Sequence, residues 1–121
     1  CDRMDINILK DNDIDVDASI EILGDLEMYN ETLKDFYDLS EEKLEKIENA
    51  KNNNDLNSYS IEVHALKSDA KYLGLKKLAD MALEHQLKSQ AGDEEYVNMH
   101  YDELIEELKK DIDIISKYLN I

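Results

Sequence analysis

The chain has 121 residues, enough for one domain that buries roughly two-thirds of the surface its unfolded form exposes. It is 42% hydrophobic and 36% charged, with no proline and three glycines, a composition suited to long uninterrupted helices. The formal net charge of −16 argues against nucleic acid and anionic membranes as partners, and no apolar run approaches the ~18 residues of a membrane span.

Cys1 is the only cysteine. Neither a disulfide framework nor a cysteine-based metal site is therefore expected, which fits a reducing cytosol and a cytoplasmic location. No secretory signal is evident. A first residue that is not methionine reads as a domain excised from a longer protein.

Residues 1–16 form a polar, acidic extension with little apolar periodicity before Ile14, expected to be partly flexible or to lie along the surface. A domain of residues 17–121 follows. Its first element is a short helix from about Ala18 to Leu23, with Asp17 as N-cap and Gly24 as stop, lying as a lid over one end of a bundle. A second helix is predicted from about Leu26 to Lys51, because Leu26, Tyr29, Leu33, Phe36, Ser40, Leu44 and Ile47 recur at intervals of three and four. The polar step at Ser40 marks a weak point or bend in it.

Asn52-Asn53-Asn54-Asp55 ends that helix, and Asp55 is placed to cap the third, from about Leu56 to Leu73. Gly74 ends the third. The fourth, from about Leu75 to Gln90, should bury Leu75, Leu78, Ala79 and Ala82 and turn Leu83 and Leu87 toward a neighbour. Gly92 stops it, and Asp93 can cap the fifth, from about Glu94 to Leu119, with Val97, Tyr101, Leu104, Leu108, Ile112, Ile115 and Leu119 at helical spacing. All three glycines thus fall at predicted helix ends. Four helices joined by short loops imply antiparallel neighbours, so the fold expected is all-α, an up-down four-helix bundle with a short extra N-terminal helix.

The third helix carries the chemistry. Leu56, Tyr59, Val63, Leu66, Ala70 and Leu73 make its apolar stripe, and His64 points about 130° from the centre of that stripe, toward water. Lys71 falls almost directly above His64, Lys67 about 60° to one side and Ser68 about 40° to the other. An imidazole on a solvated face, with two ammonium groups and a hydroxyl within two turns, is a candidate nucleophile or phosphate carrier. Ile61, about 60° from His64, is an apolar residue on the same exposed side; it reads either as an ordinary lone surface residue or as part of a small dock for a partner helix.

The stretch His64-Ala65-Leu66-Lys67-Ser68-Asp69-Ala70-Lys71-Tyr72-Leu73-Gly74 resembles the signature of histidine-containing phosphotransfer (HPt) domains, the relay modules of multistep two-component signalling, including those at the tails of hybrid sensor kinases. Ile14 to Asp25, Tyr29 to Phe36 and Ala91-Gly92-Asp93 fit the pattern as well. The resemblance implies that His64 accepts the phosphoryl group and that Lys67 helps balance its charge. The position after that lysine is most often glycine in the family; here it is Ser68, which either contacts the phosphoryl group or bonds back to the His64 carbonyl. The family often places a Glu or Gln 22 positions after the histidine to hold its other ring nitrogen, and that position is Gln86, with Gln90 one turn later a weaker candidate.

On this reading the chain takes a phosphoryl group from a receiver-domain aspartate and gives it to another. Ile61, Lys67, Ser68 and Lys71 would meet the receiver, which brings the Mg²⁺; the chain itself needs no cofactor and no metal. There is no Gly-rich phosphate loop, so neither ATP binding nor kinase activity is expected. The chain should act as a monomer. A different class of function, an acidic helical adaptor without chemistry, stands as the alternative, and a metal-storage bundle is a distant third. His85 and His100 are expected at the surface or bundle edge. No Glu-x-x-His pair or His-Glu-x-x-His motif supports a metal bundle. The seven tyrosines, at or beside stripe positions, read as packing at the core edge rather than a platform for bases.

Overall fold

A computed structural model describes residues 4–121; Cys1, with the expectations attached to it, lies outside them. The described residues form seven helices and no strand: α1 (Asn7–Lys10), α2 (Val16–Leu23), α3 (Leu26–Asp38), α4 (Ser40–Asn52), α5 (Leu56–Leu73), α6 (Lys76–Gln90) and α7 (Glu94–Leu119). The helix ends follow turn chemistry. Asp25, Asp55 and Asp93 each accept a hydrogen bond from a backbone N–H three residues on, and Gly24, Gly74 and Gly92 take positive φ at the stops.

Three expectations are corrected. The N-terminal segment does not simply lie along the surface: Leu9, Ile14 and Val16 are buried in the core, and α1 packs on α7. One buried leucine per short helical turn is too little periodicity to read from sequence. The cap of α2 is Asp15, whose carboxylate accepts from the Ala18 N–H at 3.2 Å. Asp17 sits inside the first turn and pairs with Lys10 at 3.4 Å. Finally, the long second helix is two helices that meet at Leu39. There the Ser40 hydroxyl donates to the Tyr37 carbonyl at 2.7 Å, a local bond that competes with the regular ladder. The polar step anticipated at Ser40 is the break itself.

Helix α5 lies at the centre. It packs on α6 most extensively, and also on α2, α3 and α4, while α7 backs α3, α4 and α6. Val63, Leu66 and Ala70 of α5 meet a core that includes Leu33, Leu78 and Leu108, all essentially inaccessible. Polar ties fix the end of α5. The Tyr29 hydroxyl on α3 donates to the Leu73 carbonyl at 2.8 Å, and the Asp15 N–H donates to the Gly74 carbonyl at 3.0 Å. Gly74 is required twice over. Its φ is +77°, and a Cβ there would stand 2.5 Å from the Asp15 carbonyl oxygen. The turn from α5 to α6 therefore sits directly against the start of α2.

Candidate functional site

The position of His64 follows from how α5 is held. Asp55 starts the helix, accepting from the Ser58 N–H at 3.0 Å and the Ser58 hydroxyl at 2.7 Å; both bonds hold its carboxyl below the usual range. Gly74 ends the helix. Between them Tyr59, Val63, Leu66, Ala70 and Leu73 are all buried, which fixes the rotation of the helix and leaves His64 exposed.

The imidazole is nonetheless tethered. His64 Nδ1 lies 3.1 Å from Gln86 Oε1 on α6. An amide oxygen only accepts, so Nδ1 carries a proton, and in the neutral ring Nε2 keeps a free lone pair. Lys67 and Ser68 are half-buried and Lys71 is exposed. Among the described residues no carboxylate comes within 4 Å of either ammonium group. Nor does the Ser68 hydroxyl bond back to the His64 carbonyl, whereas Ser60 and Ser89 do bond back to carbonyls three residues earlier. The next residue, Asp69, is engaged by Lys43 of α4 at 2.8 Å, so its charge is matched away from the histidine. Gln90 is exposed and makes no bond to His64.

Exposed apolar side chains occur on the same two helices. Ile61 is 58% exposed, and Tyr72, two turns beyond His64, is 51% exposed. Leu83 and Leu87, expected to turn toward a neighbour, are instead exposed on α6. The sequence held the signal: against the run Leu78, Ala82, His85 and Ser89, Leu83 and Leu87 each lie about 160° from His85, on the far side of the helix. Beside α5 a groove of about 290 Å³ opens between α2, α3 and α4, lined by Leu23, Phe36, Leu39, Lys43, Asp69 and Tyr72.

His85 is the larger correction. Expected at the surface or the bundle edge, it is 1% exposed. Its Nδ1 lies 2.9 Å from the hydroxyl of Tyr59, itself fully buried, and Tyr96 of α7 meets its ring edge-on at 5.3 Å. Burial, helped by neighbouring His100, pushes its pKa down to about 4. Leu78, Ala82, His85 and Ser89 all lie on the buried side of α6, a run at intervals of three and four that places the histidine on the core stripe. His100 is half-buried and bonds Glu103 at 3.2 Å. On α7 the carboxyls of Glu107 and Asp111 are also buried; burial and the neighbouring Glu107 raise the Asp111 carboxyl well above the usual range. Tyr29, Tyr59 and Tyr118 are fully buried rather than at the core edge.

Set against known families, residues 31–115 match the family described as Hpt domain. That span covers more than half of the chain. The chain belongs to the Hpt domain family. Comparison with curated proteins and with solved structures gives no match in either case. As an Hpt domain the chain is a phosphotransfer module of the phosphorelay type that interacts with receiver domains. The match spans both His64 and Gln86. No helix among the described residues is long and apolar enough to cross a membrane.

Proposed function

We propose that this Hpt domain accepts a phosphoryl group on Nε2 of His64 from the aspartyl phosphate of one receiver domain and passes it to the aspartate of another. The observation that carries the reading is the Nδ1–Gln86 contact, which leaves the reachable Nε2 as the nucleophile. The Nε2 lone pair attacks phosphorus in line, the N–P bond forms as the P–O bond to aspartate breaks, and the carboxylate leaves with the electron pair. The Nδ1 proton stays on the ring, and Gln86 steadies the positive charge that develops there. Delivery to the second receiver is the same step reversed.

Lys67 and Lys71 supply positive charge beside the phosphoryl oxygens, and Ser68, with no back-bond, can donate to one of them. We place the Mg²⁺ on the receiver, where it would offset phosphoryl charge. The receiver docks transiently on Ile61, Lys67, Ser68 and Lys71. We place the domain in the cytoplasm as a monomer and assign it no contact with nucleic acid. We further read α3 with α4, α5, α6 and α7 as an up-down four-helix bundle, because connections of only two or three residues (53–55, 74–75, 91–93) join helices of 13 to 26 residues.

The test is intact-mass analysis after incubation with receiver domains charged by a small phosphodonor, wild type beside His64→Gln. One acid-labile phosphate on the wild type alone is expected. Phosphate on His64→Gln would move the acceptor elsewhere. Partner binding without phosphate on either protein would favour a non-catalytic adaptor.

A further inference from the structure

Two hydrogen bonds cross the seam between α5 and α6, and they lie side by side. At the solvent lip His64 Nδ1 meets Gln86 Oε1 at 3.1 Å. In the core the Tyr59 hydroxyl meets His85 Nδ1 at 2.9 Å. On α6 the two partners are consecutive residues. On α5 they are five apart, a rise of about 7.5 Å.

Burial keeps the Tyr59 hydroxyl protonated far above its ordinary range and pushes the His85 pKa down to about 4, so the inner bond joins two neutral groups, with the ring tautomer setting its direction. Tyr96 packs against the far edge of the imidazole from α7, with Lys88 over the Tyr96 ring at 5.5 Å, His100 stacked on it at 4.4 Å, and Glu103 bonded to His100. His85 is thus gripped from α5 on one side and α7 on the other.

Consecutive helical residues differ by about 100° in direction, so fixing the azimuth of His85 fixes that of Gln86. A surface glutamine on a solvated helix face has many rotamers of similar energy, so its amide stays on His64 only while the helix holds its Cα at the right azimuth. The energy that opposes rotation of the helix is that of a buried bond, since breaking it leaves a buried hydroxyl and a buried ring nitrogen unpaired.

We propose that Tyr59 and His85 are a positioning pair whose buried hydrogen bond sets the rotation of α6 and so holds Gln86 on His64, keeping Nε2 as the nucleophile. This rests on the relay reading above for its purpose, though not for its geometry. Neither side chain touches the phosphoryl group; both act through Gln86.

The experiment uses the whole chain with ¹⁵N-labelled histidine. Long-range ¹H–¹⁵N spectra report the His64 tautomer without any phosphodonor, and single-turnover transfer from a charged receiver reports the rate. The wild type should show Nδ1–H at His64. In Tyr59→Phe the Nε2–H tautomer should become substantially populated and the transfer rate should fall about tenfold, the scale on which outer partners of a functional histidine act. Gln86→Ala should show the same mixed tautomer, and adding Tyr59→Phe to it should change nothing more. A melting temperature that drops while tautomer and rate stay as in the wild type would overturn the proposal and leave the pair purely structural. Should Tyr59→Phe fail to fold, Tyr59→Phe/His85→Leu removes both polar partners at once and avoids an unpaired buried group. A mixed His64 tautomer in that variant supports the pair; a wild-type tautomer shows that packing alone orients Gln86, and the proposal falls. If the wild type accepts no phosphoryl group from any receiver, the relay reading fails, and the tautomer comparison still decides the positioning pair.

Discussion

His64 and His85 occupy adjacent helices, and both make their side-chain bond through Nδ1, yet they are opposite kinds of group. His64 is exposed and donates its Nδ1–H to an amide oxygen. His85 is buried, and its Nδ1 shares a hydrogen bond with a tyrosine hydroxyl. The first keeps its other nitrogen free in water, where an electrophile can reach it. The second is held neutral by burial, with a pKa near 4, and offers no nitrogen to solvent. What separates the proposed acceptor from a structural histidine here is the helix face it occupies, since residue type and even the bonding nitrogen are shared.

The largest effects should come from crossing the two sites. His64→Gln should abolish phosphoryl acceptance while changing the free energy of urea unfolding by no more than about 0.5 kcal/mol, as befits an exposed residue. His85→Ala should do the reverse in kind: it removes a buried ring and strands the Tyr59 hydroxyl, costing about 2–5 kcal/mol of stability. Equal losses of stability in the two variants would erase the distinction. The next effect concerns the element that sets the phase of the acceptor helix. Gly74→Ala combines a positive φ with a backbone clash at Asp15, and should cost roughly 2–4 kcal/mol. Urea unfolding with circular dichroism checks it; a loss under about 1 kcal/mol would mean that the start of α2 can retreat without strain.

Much of the exposed site was legible in the sequence, because it rests on local quantities. Helical spacing placed His64 about 130° from the centre of the apolar stripe, and turn chemistry at Asp55 and Gly74 bounded its helix. The Gln86 contact came from resemblance, and it coincides with a 3.1 Å contact between the side chains. The buried site was less legible. His85 is polar, which suggests a surface residue, although Leu78, Ala82 and Ser89 put it on the buried stripe. Its partner Tyr59 lies 26 positions away, and no local pattern announces such a bond. The same holds for Leu9, whose helix α1 packs on α7 nearly a hundred residues later, and for the break at Leu39, across which the helical pattern runs straight through.

The smallest effect expected is a near-cancellation, and it sharpens the contrast between buried groups. In the unfolded chain a histidine takes up a proton below about pH 6.5, but His85 in the fold does so only near pH 4. Between those values the unfolded state binds more protons, so this group lowers stability as the pH falls, by up to about 3 kcal/mol. Asp111 works in the other direction. Burial and Glu107, only partly offset by Lys110 and Lys77, raise its carboxyl in the fold, so the folded state takes up the proton first and stability rises over much of the same range. The wild-type profile from pH 6.5 to pH 4.5 should therefore be shallow. Asp111→Asn removes only the rising contribution. That variant should be more stable than the wild type near pH 7, where a buried carboxylate is costly, and should lose about 2 kcal/mol more than the wild type on acidification. Relief of the chain's overall negative charge acts on both proteins alike and drops out of the difference. Superimposed urea midpoints for the two proteins at pH 7, 5.5 and 4.5 would mean that Asp111 ionises like a surface carboxylate, and that the acid limb of the stability curve belongs to His85 alone.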